Sequence, residues 1–376
     1  MNRKRMAASL MVLSLVACSG GASGSSTSGG GAVTGAPTPT PSPPASPAPT
    51  PSPTSSPAAF TLAAAAIPST GGSLKLGKCV NLSNMLEAPT EGAWGRAFTD
   101  SDIANIKSKG FTGIRLPVRF SAHALAAAPY TIDAAFMARV KHIVDLAVAA
   151  DMAIIIDMHH YEELFTDPGG HAARFAEMWR QIGVAFKDYP STVYFELINE
   201  PNGKLDVTNN LAVQGPALAA VRATNPTRQV VIDGPSWANI DHMLTMPFPA
   251  DPNVVPTFHY YDPQNFGFDT APWMTPASRN DFGTAGDIAE LNVVLGKIRG
   301  FIASTGRVPF VGEYGAHEIR PDAARTTYYG MVSAAFASVG VQSCAWGYTN
   351  TMHLWRDATG WTPGVADAIV TTRTLP

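Results

Sequence analysis

Glu200 and Glu313 stand near the ends of two short runs rich in apolar and β-branched residues, Val193–Glu200 and Val308–Gly315. A protonated carboxyl group can hand its proton to a leaving oxygen, and an ionised one can attack carbon or activate water. Two such groups on opposite sides of a scissile bond are the equipment of glycoside hydrolysis. Arg115 is suited to keep one of them ionised, because its fixed fork of positive charge lowers a partner's pKa. Tyr261 can add a hydrogen bond to that carboxylate, and Asn199, next to Glu200, can donate to a sugar hydroxyl. Sugar rings lay their C–H faces on flat apolar surfaces, which Trp346, Trp94, Trp273 and Tyr161 can offer from strand ends and loops. Trp179 lies in an amphipathic stretch and reads as core.

Each of these residues alone is weak, since a polar residue at a strand end is ordinarily a loop residue. Their collective placement is informative. Asn81, Asn84 and Glu87 follow one apolar run, Arg115 lies in the next, and His159-His160 end a third. His259-Tyr260-Tyr261 end a later run, and Trp346 ends the last. The runs that must position these residues are Leu74–Ser83, Gly113–Val118, Met152–His160, Val193–Glu200, Gln229–Gly234, Val254–Tyr261, Val308–Gly315 and Gln342–Thr349. Stretches at helical spacing alternate with them, among them Ser101–Lys109, Ala134–Ala150, Ala172–Asp188, Ala285–Ala303 and Ala323–Ser338, with Gly110 and Gly340 where helix-ending glycines belong. Eight β/α units predict an α/β fold of the (β/α)8 TIM-barrel type, in which chemistry gathers at the C-terminal strand ends. A doubly wound open sheet is the alternative.

No metal or other cofactor is expected. Adjacent residues on a strand point to opposite faces, so His159 and His160 cannot chelate one ion. Gly72 to Lys78 begins like a phosphate-binding loop, but Cys79 stands where Ser or Thr is required. Asp281-Phe282-Gly283 lacks the other parts of a kinase, and no Gly-x-Ser-x-Gly elbow is present.

The 376-residue chain is 45% hydrophobic and 15% charged, with a formal net charge of −3, which excludes a basic nucleic-acid binder. Between Arg5 and Lys75 there is no charged residue. Residues 1–18 combine Arg3, Lys4 and Arg5 with an apolar run from Met6 to Val16 that is too short to span a membrane, as in a secretory signal. The run ends in Leu15-Val16-Ala17-Cys18, which resembles the lipobox of bacterial lipoproteins and implies lipidation of Cys18. An ordinary signal peptide is the plainer alternative. Ser19 after the cysteine implies an outer-membrane destination by that family's sorting rule. Residues 19–68 are rich in Gly and Ser, then in Pro, Thr and Ser, the composition of an unfolded tether. Residues 69–376 are then the catalytic domain, expected to be monomeric and to meet the membrane only through the lipid.

In this order the residues resemble glycoside hydrolase family 5 of clan A, the cellulases, over 74–370. The resemblance rests on Asn81-Leu-Ser-Asn-Met-Leu-Glu-Ala-Pro89, Gly113-Ile-Arg-Leu-Pro117, Ile156-Asp-Met-His-His-Tyr-Glu-Glu163, Phe195-Glu-Leu-Ile-Asn-Glu-Pro201, His259-Tyr-Tyr261 and Val311-Gly-Glu-Tyr-Gly315. It implies endo-acting, retaining cleavage of β-1,4-glucan, with mannan or xyloglucan as alternative substrates and a glycan-binding surface lipoprotein as the alternative outside enzymes. It also implies Glu200 as acid/base and Glu313 as nucleophile, with Arg115 and Tyr261 holding Glu313 and His259 supporting Glu200. Asn199 would bind the 2-hydroxyl, His159, His160 and Trp346 would line the cleavage subsite, and Asn84 and Glu87 would reach sugars on the non-reducing side. Trp273 is a further candidate for sugar stacking. Two departures, Gly347 after Trp346 and the apolar Phe266-Gly-Phe-Asp269 loop, bear on substrate preference.

Cys79 and Cys344 lie two residues before inward-facing positions on neighbouring strands. A disulfide and a pair of buried thiols both fit. The thiols are the preferred expectation, because a bridge demands a particular Cα spacing.

Overall fold

Strands that face a closed barrel on one side and a ring of helices on the other have no solvent face, so they read as continuous apolar runs. In the computed structural model, which describes residues 74–268 and 279–371, seven strands are buried at every position. They are β1 (Cys79–Asn81), β2 (Gly113–Val118), β3 (Ala153–Met158), β4 (Val193–Glu196), β5 (Val230–Asp233), β6 (Val254–Tyr260) and β7 (Phe310–Tyr314). An eighth, β8 (Ser343–Ala345), is buried at its last two residues. All pair in parallel in chain order, and β1 closes on β8 through Cys79↔Cys344 and Val80↔Ala345. The closed ring is the expected (β/α)8 barrel and excludes the open sheet. Cys18 and the tether lie outside the described residues.

The helices in chain order are α1 (Asp100–Lys109), α2 (Ala134–Ala149), α3 (Glu162–Thr166), α4 (Pro168–Ala185), α5 (Asn210–Arg222), α6 (Pro235–Ala238), α7 (Ile240–Thr245), α8 (Gln264–Gly267), α9 (Ala285–Thr305), α10 (Asp322–Ser338) and α11 (Val365–Thr371). Among the described residues none is long and apolar enough to cross a membrane. Local chemistry sets their ends. Thr99 with Asp102, and Thr284 with Asp287, form reciprocal capping boxes at the starts of α1 and α9. Gly110 ends α1 with a φ of 107°, a conformation in which a Cβ would be strained. The helix least visible in sequence is α5, because Gly215 and Pro216 fall in its interior. It is held from outside, by Val213, Ala217, Leu218 and Val221 in the core. A two-stranded antiparallel sheet, β9 (Trp355–Arg356) with β10 (Gly360–Trp361), follows β8.

The barrel interior is layered. Leu76, Cys79, Ile155, Tyr194, Val231, Val255, Phe310 and Cys344 form an apolar cluster. Two residues along, the inward positions turn polar and charged: Asn81, Arg115, Asp157, Glu196 and Asp233, all buried. In the apolar layer Cys79 and Cys344 are joined by a disulfide, with Cα atoms 4.4 Å apart. The expectation of two free thiols is therefore corrected. Register places these residues directly opposite each other across the barrel seam, which meets the spacing a bridge requires.

The ladders stop earlier than the apolar runs suggest. β4 ends at Glu196 and β8 at Ala345. Single main-chain bonds carry the chain onward, from Asn199 N–H to the Met158 carbonyl (3.0 Å) and from Trp346 N–H to the Tyr314 carbonyl (2.8 Å). The site residues sit on these outgoing segments.

Candidate active site

Arg115 is the hub. Its side chain is fully buried at the centre of the barrel. Nε and Nη2 grip the Glu196 carboxylate at 2.7 and 2.8 Å. Nη1 reaches Asn81 Oδ1 at 2.9 Å and Glu313 Oε1 at 2.8 Å. Nη2 also donates to Asn199 Oδ1 at 2.7 Å and lies 3.0 Å from Asp157. A planar guanidinium with five donors can serve this many acceptors at once, which an ammonium group cannot. Asn81 is in turn held by Gly312, Cys344 and Ala345 carbonyls.

Glu313, on β7, faces His259, on β6, in register. Its Oε2 accepts from the Tyr261 hydroxyl at 2.7 Å and lies 3.6 Å from His259 Nδ1. His259 Nδ1 is 2.8 Å from Glu200 Oε1, so one imidazole edge touches both glutamates. One oxygen each of Glu200 and Glu313 and a nitrogen of His259 all lie within 4.8 Å of one another. Glu200 is the more open of the pair, with 23% of its side chain exposed against 6% for Glu313. Burial raises the Glu313 carboxyl above its ordinary pKa, opposed by the nearby His259 and Arg115. A guanidinium and a phenol hydroxyl donating to the same carboxylate favour its ionised form.

Around this pair lie most of the other expected residues. His159 stacks on Trp346, with ring centroids 5.4 Å apart and planes 9° from parallel. Its Nδ1 contacts Asp157 at 2.5 Å, and its Nε2 lies 3.5 Å from the Asn199 amide nitrogen. Burial holds its pKa well below the ordinary value, so the ring is neutral at pH 7, with Nδ1 sharing one hydrogen bond with the Asp157 carboxyl group. His160 is pushed down to about 4, again by burial, and meets the Trp94 indole edge to face at 5.5 Å. Asn84 takes a left-handed φ of 62° in the loop after β1.

Glu87 differs from expectation. It is 1% exposed, and its carboxylate accepts the main-chain N–H groups of Asn84 and Met85. In this conformation it braces the loop after β1 instead of presenting its oxygens to a sugar. Burial raises its pKa to about 7. Tyr161 is also corrected. It is fully buried, bonds His171 through its hydroxyl, and lies under Arg174, so it packs in the core and offers no face to a ligand. Trp273 lies outside the described residues.

Three site residues escaped sequence reasoning: Asp157, Glu196 and Asp233. Each is a lone carboxylate inside an apolar strand, and that isolation was the available signal. Burial disfavours charge on all three. For Glu196 the charge and hydrogen bonds of Arg115 outweigh burial and hold it below the ordinary value. For Asp157 and Asp233 burial dominates and holds them well above it. The fold also brings together two acid–histidine groups: the expected Glu200–His259–Glu313, and Glu196–Asp233–His259, which had no sequence signature. In the first, Arg115 and Tyr261 donate to Glu313 and His259 Nδ1 meets Glu200; in the second, Arg115 grips Glu196. Gly347 has a local reason as well, since a Cβ there would meet Ser83 Oγ at 2.2 Å. An acidic residue at that position has no room.

The arrangement is a buried, charge-compensated carboxylate beside a more accessible one, under a half-buried Trp346. It suits nucleophilic attack paired with proton transfer. Comparison with known proteins agrees. The family described as "Cellulase (glycosyl hydrolase family 5)" matches residues 76–351. Endoglucanase H of Acetivibrio thermocellus is 32% identical over 272 residues, 72% of this chain and 29% of that protein. This chain thus spans less than a third of that relative's length. Among solved structures, an endoglucanase is 33% identical with a TM-score of 0.76, covering 79% of this chain and 97% of that one. Thermotoga maritima Cel5A in complex with mannotriose is 30% identical with a TM-score of 0.75, over 78% and 97% of the two chains. With the family model matching residues 76–351 of a closed (β/α)8 barrel, this chain belongs to the cellulase family, glycosyl hydrolase family 5.

Proposed function

We propose that the barrel is an endo-acting, retaining β-1,4-glucanase, in which Glu313 is the nucleophile and Glu200 the acid/base. The observation that carries this is the approach of the two carboxylates, with an oxygen of each within 4.8 Å of the other. Retaining enzymes hold their carboxyl groups about 5–5.5 Å apart, whereas inverting ones leave about 6.5–9.5 Å for a water. In the first step a Glu313 oxygen bonds to the anomeric carbon as the glycosidic C–O bond breaks and Glu200 passes its proton to the departing oxygen. In the second, Glu200 takes a proton from water, the water oxygen bonds to the same carbon, and Glu313 departs as carboxylate. Arg115 and Tyr261 stabilise Glu313 whenever it carries charge. Because Asn199 Oδ1 accepts from Arg115, its Nδ2 points the other way, 3.5 Å from His159 Nε2, and its two N–H groups leave one to donate to a sugar 2-hydroxyl. Trp346 offers the stacking face, and His159, His160 and Asn84 are the polar lining.

Mannan is a second reading, supported by the mannotriose complex of a relative. The test is reducing-end release from carboxymethylcellulose, barley β-glucan, xyloglucan and glucomannan by the chain from residue 69 onward, beside Glu313→Ala. Wild-type cleavage of a glucan, lost by at least about a thousandfold in the variant, is the expected result. Cleavage that survives the substitution, or binding without cleavage, would replace the assignment.

The same reading extends to the whole chain: a signal at 1–18, lipid on Cys18, a tether over 19–68 and a monomeric domain held at the outer membrane. Palmitate incorporation into the full chain, lost in Cys18→Ala, is its test. Labelling that persists in the variant would sink it.

A further inference from the structure

Glu200 has an unusual backbone for a glutamate, with a φ of +48°. A left-handed conformation costs an L-residue roughly 1–2 kcal/mol, so neighbouring contacts must impose it. They come largely from the end of β5. Asp233 Oδ2 accepts the Glu200 N–H at 3.0 Å. Trp237 N–H, in the left-handed turn that follows β5, donates to the Pro201 carbonyl at 3.1 Å. On the other side Asn202 Nδ2 donates to the Glu200 carbonyl at 2.9 Å.

Asp233 is itself immobile. It is fully buried, pairs with Thr257 on β6, and has its carbonyl bonded by Asn210 Nδ2 at 3.0 Å. An oxygen of its carboxyl group lies within 4.8 Å of one of Glu196, whose two oxygens are already gripped by Arg115. Two buried carboxyl groups this close do not both stay ionised, and Arg115 keeps the charge on Glu196. Asp233 is then the neutral partner. Its Oδ1 is buried and has no hydrogen-bond partner among the described residues, which leaves it able to carry the proton toward Glu196.

We propose that Asp233 is a positioning residue for Glu200: as a neutral carboxylic acid it fixes the Glu200 main chain with one oxygen and anchors to the Glu196–Arg115 pair with the other. This rests on the reading of Glu200 as acid/base. It links the proton donor to the same guanidinium that holds the nucleophile, so Arg115 sets both ends of the reacting geometry.

The test uses the full chain and two aryl cellobiosides. Phenyl cellobioside has a poor leaving group and needs Glu200 to protonate it, whereas 2,4-dinitrophenyl cellobioside does not. For Asp233→Ala, kcat/KM, which reports the first step, is expected to fall about tenfold or more on phenyl cellobioside. On the dinitrophenyl substrate it should stay within about threefold. Asp233→Asn keeps an acceptor for Glu200 and a donor for Glu196, and should match wild type on both. Should Asp233→Ala fail to fold by circular dichroism, Asp233→Ser replaces it, being too short to reach the Glu200 amide. Equal losses on the two substrates, no loss, or an Asn variant as poor as the truncated one would each overturn the proposal. If the wild type cleaves neither substrate, the assignment of Glu200 fails instead.

Discussion

At the scale of single residues, one cation organises the site. Asp157, Glu196, Asp233 and Glu313 are all buried, and Arg115 is the guanidinium among them. A barrel interior cannot hold four ionised carboxylates against one positive charge, so protons must make up the difference. Replacing Arg115 by Leu leaves Glu196 and Glu313 without their counter-ion. The expected cost is about 3–5 kcal/mol of stability, with glucanase activity lost. Urea unfolding measures it, and an unshifted midpoint would contradict the assignment of Arg115 as the hub. Glu87 gives a pH prediction. Its pKa rises from 4.5 to about 7 on folding because of burial, so the folded state binds the extra proton between these values. Stability contributed by Glu87 is therefore present in acid and lost as pH rises through about 7. Glu87→Gln should flatten the wild-type decline by up to roughly 3 kcal/mol between pH 4.5 and 7. Parallel Tm–pH profiles for the two proteins would show that Glu87 does not titrate in this range.

At the scale of elements, the barrel closes at a short seam, where β1 and β8 pair over two residue positions, as few as β4 with β5 and β7 with β8. Two devices reinforce it. The Cys79–Cys344 disulfide crosses it in the apolar layer. Outside the ladder the Gln342 side chain acts as an extra strand segment: Oε1 accepts from Leu76 and Gly77 N–H at 2.6 and 3.1 Å, and Nε2 donates to the Leu74 carbonyl at 2.5 Å. The bridge ties residues 265 positions apart, and on the chain-entropy account such a closure is worth about 5 kcal/mol. Reduction, or Cys79→Ala with Cys344→Ala, should lower the denaturation midpoint accordingly. Mass spectrometry after alkylation checks the bond directly. Two labelled thiols in the unreduced, unfolded domain would refute the bridge. Gln342→Ala should cost about 1–3 kcal/mol by orphaning main-chain groups, and the effect should be larger once the disulfide is reduced.

At the scale of the whole molecule, the Gly/Ser- and Pro/Thr/Ser-rich composition of residues 19–68 offers almost nothing to pack on a core, so catalysis and stability are expected to be independent of residues 1–68. Removing them is expected to leave kcat on soluble β-glucan within about twofold and Tm within about 2 °C. A larger drop in either would mean that the leading residues pack on the barrel. Closure also explains how the site tolerates its charges. Because strands leave their side chains alternately inside and outside, an apolar layer under a polar one places Arg115 at a depth where its partners are unscreened by water.

The barrel, and the convergence of Glu200 and Glu313 with Arg115, Tyr261, His259 and Trp346 at its mouth, were legible in the chain itself. Strand-sized apolar runs alternate with helical periodicity, and polar residues recur at one end of the runs, both local properties that spacing records. Glu87 was misjudged because a carboxylate after a strand looks the same whether it faces a ligand or folds back onto two amides. Tyr161 was misjudged for a similar reason, since a loop aromatic carries no mark of being covered by Arg174. Asp157, Glu196 and Asp233 could be seen as isolated charges in apolar strands, but their purpose depends on partners from four different strands. The cysteine pairing likewise depended on register across the seam. Residue type and period determine which elements form and which way side chains alternate. Which carboxylate keeps its proton, and which histidine edge meets which glutamate, depends on distances set only when the eight strands close.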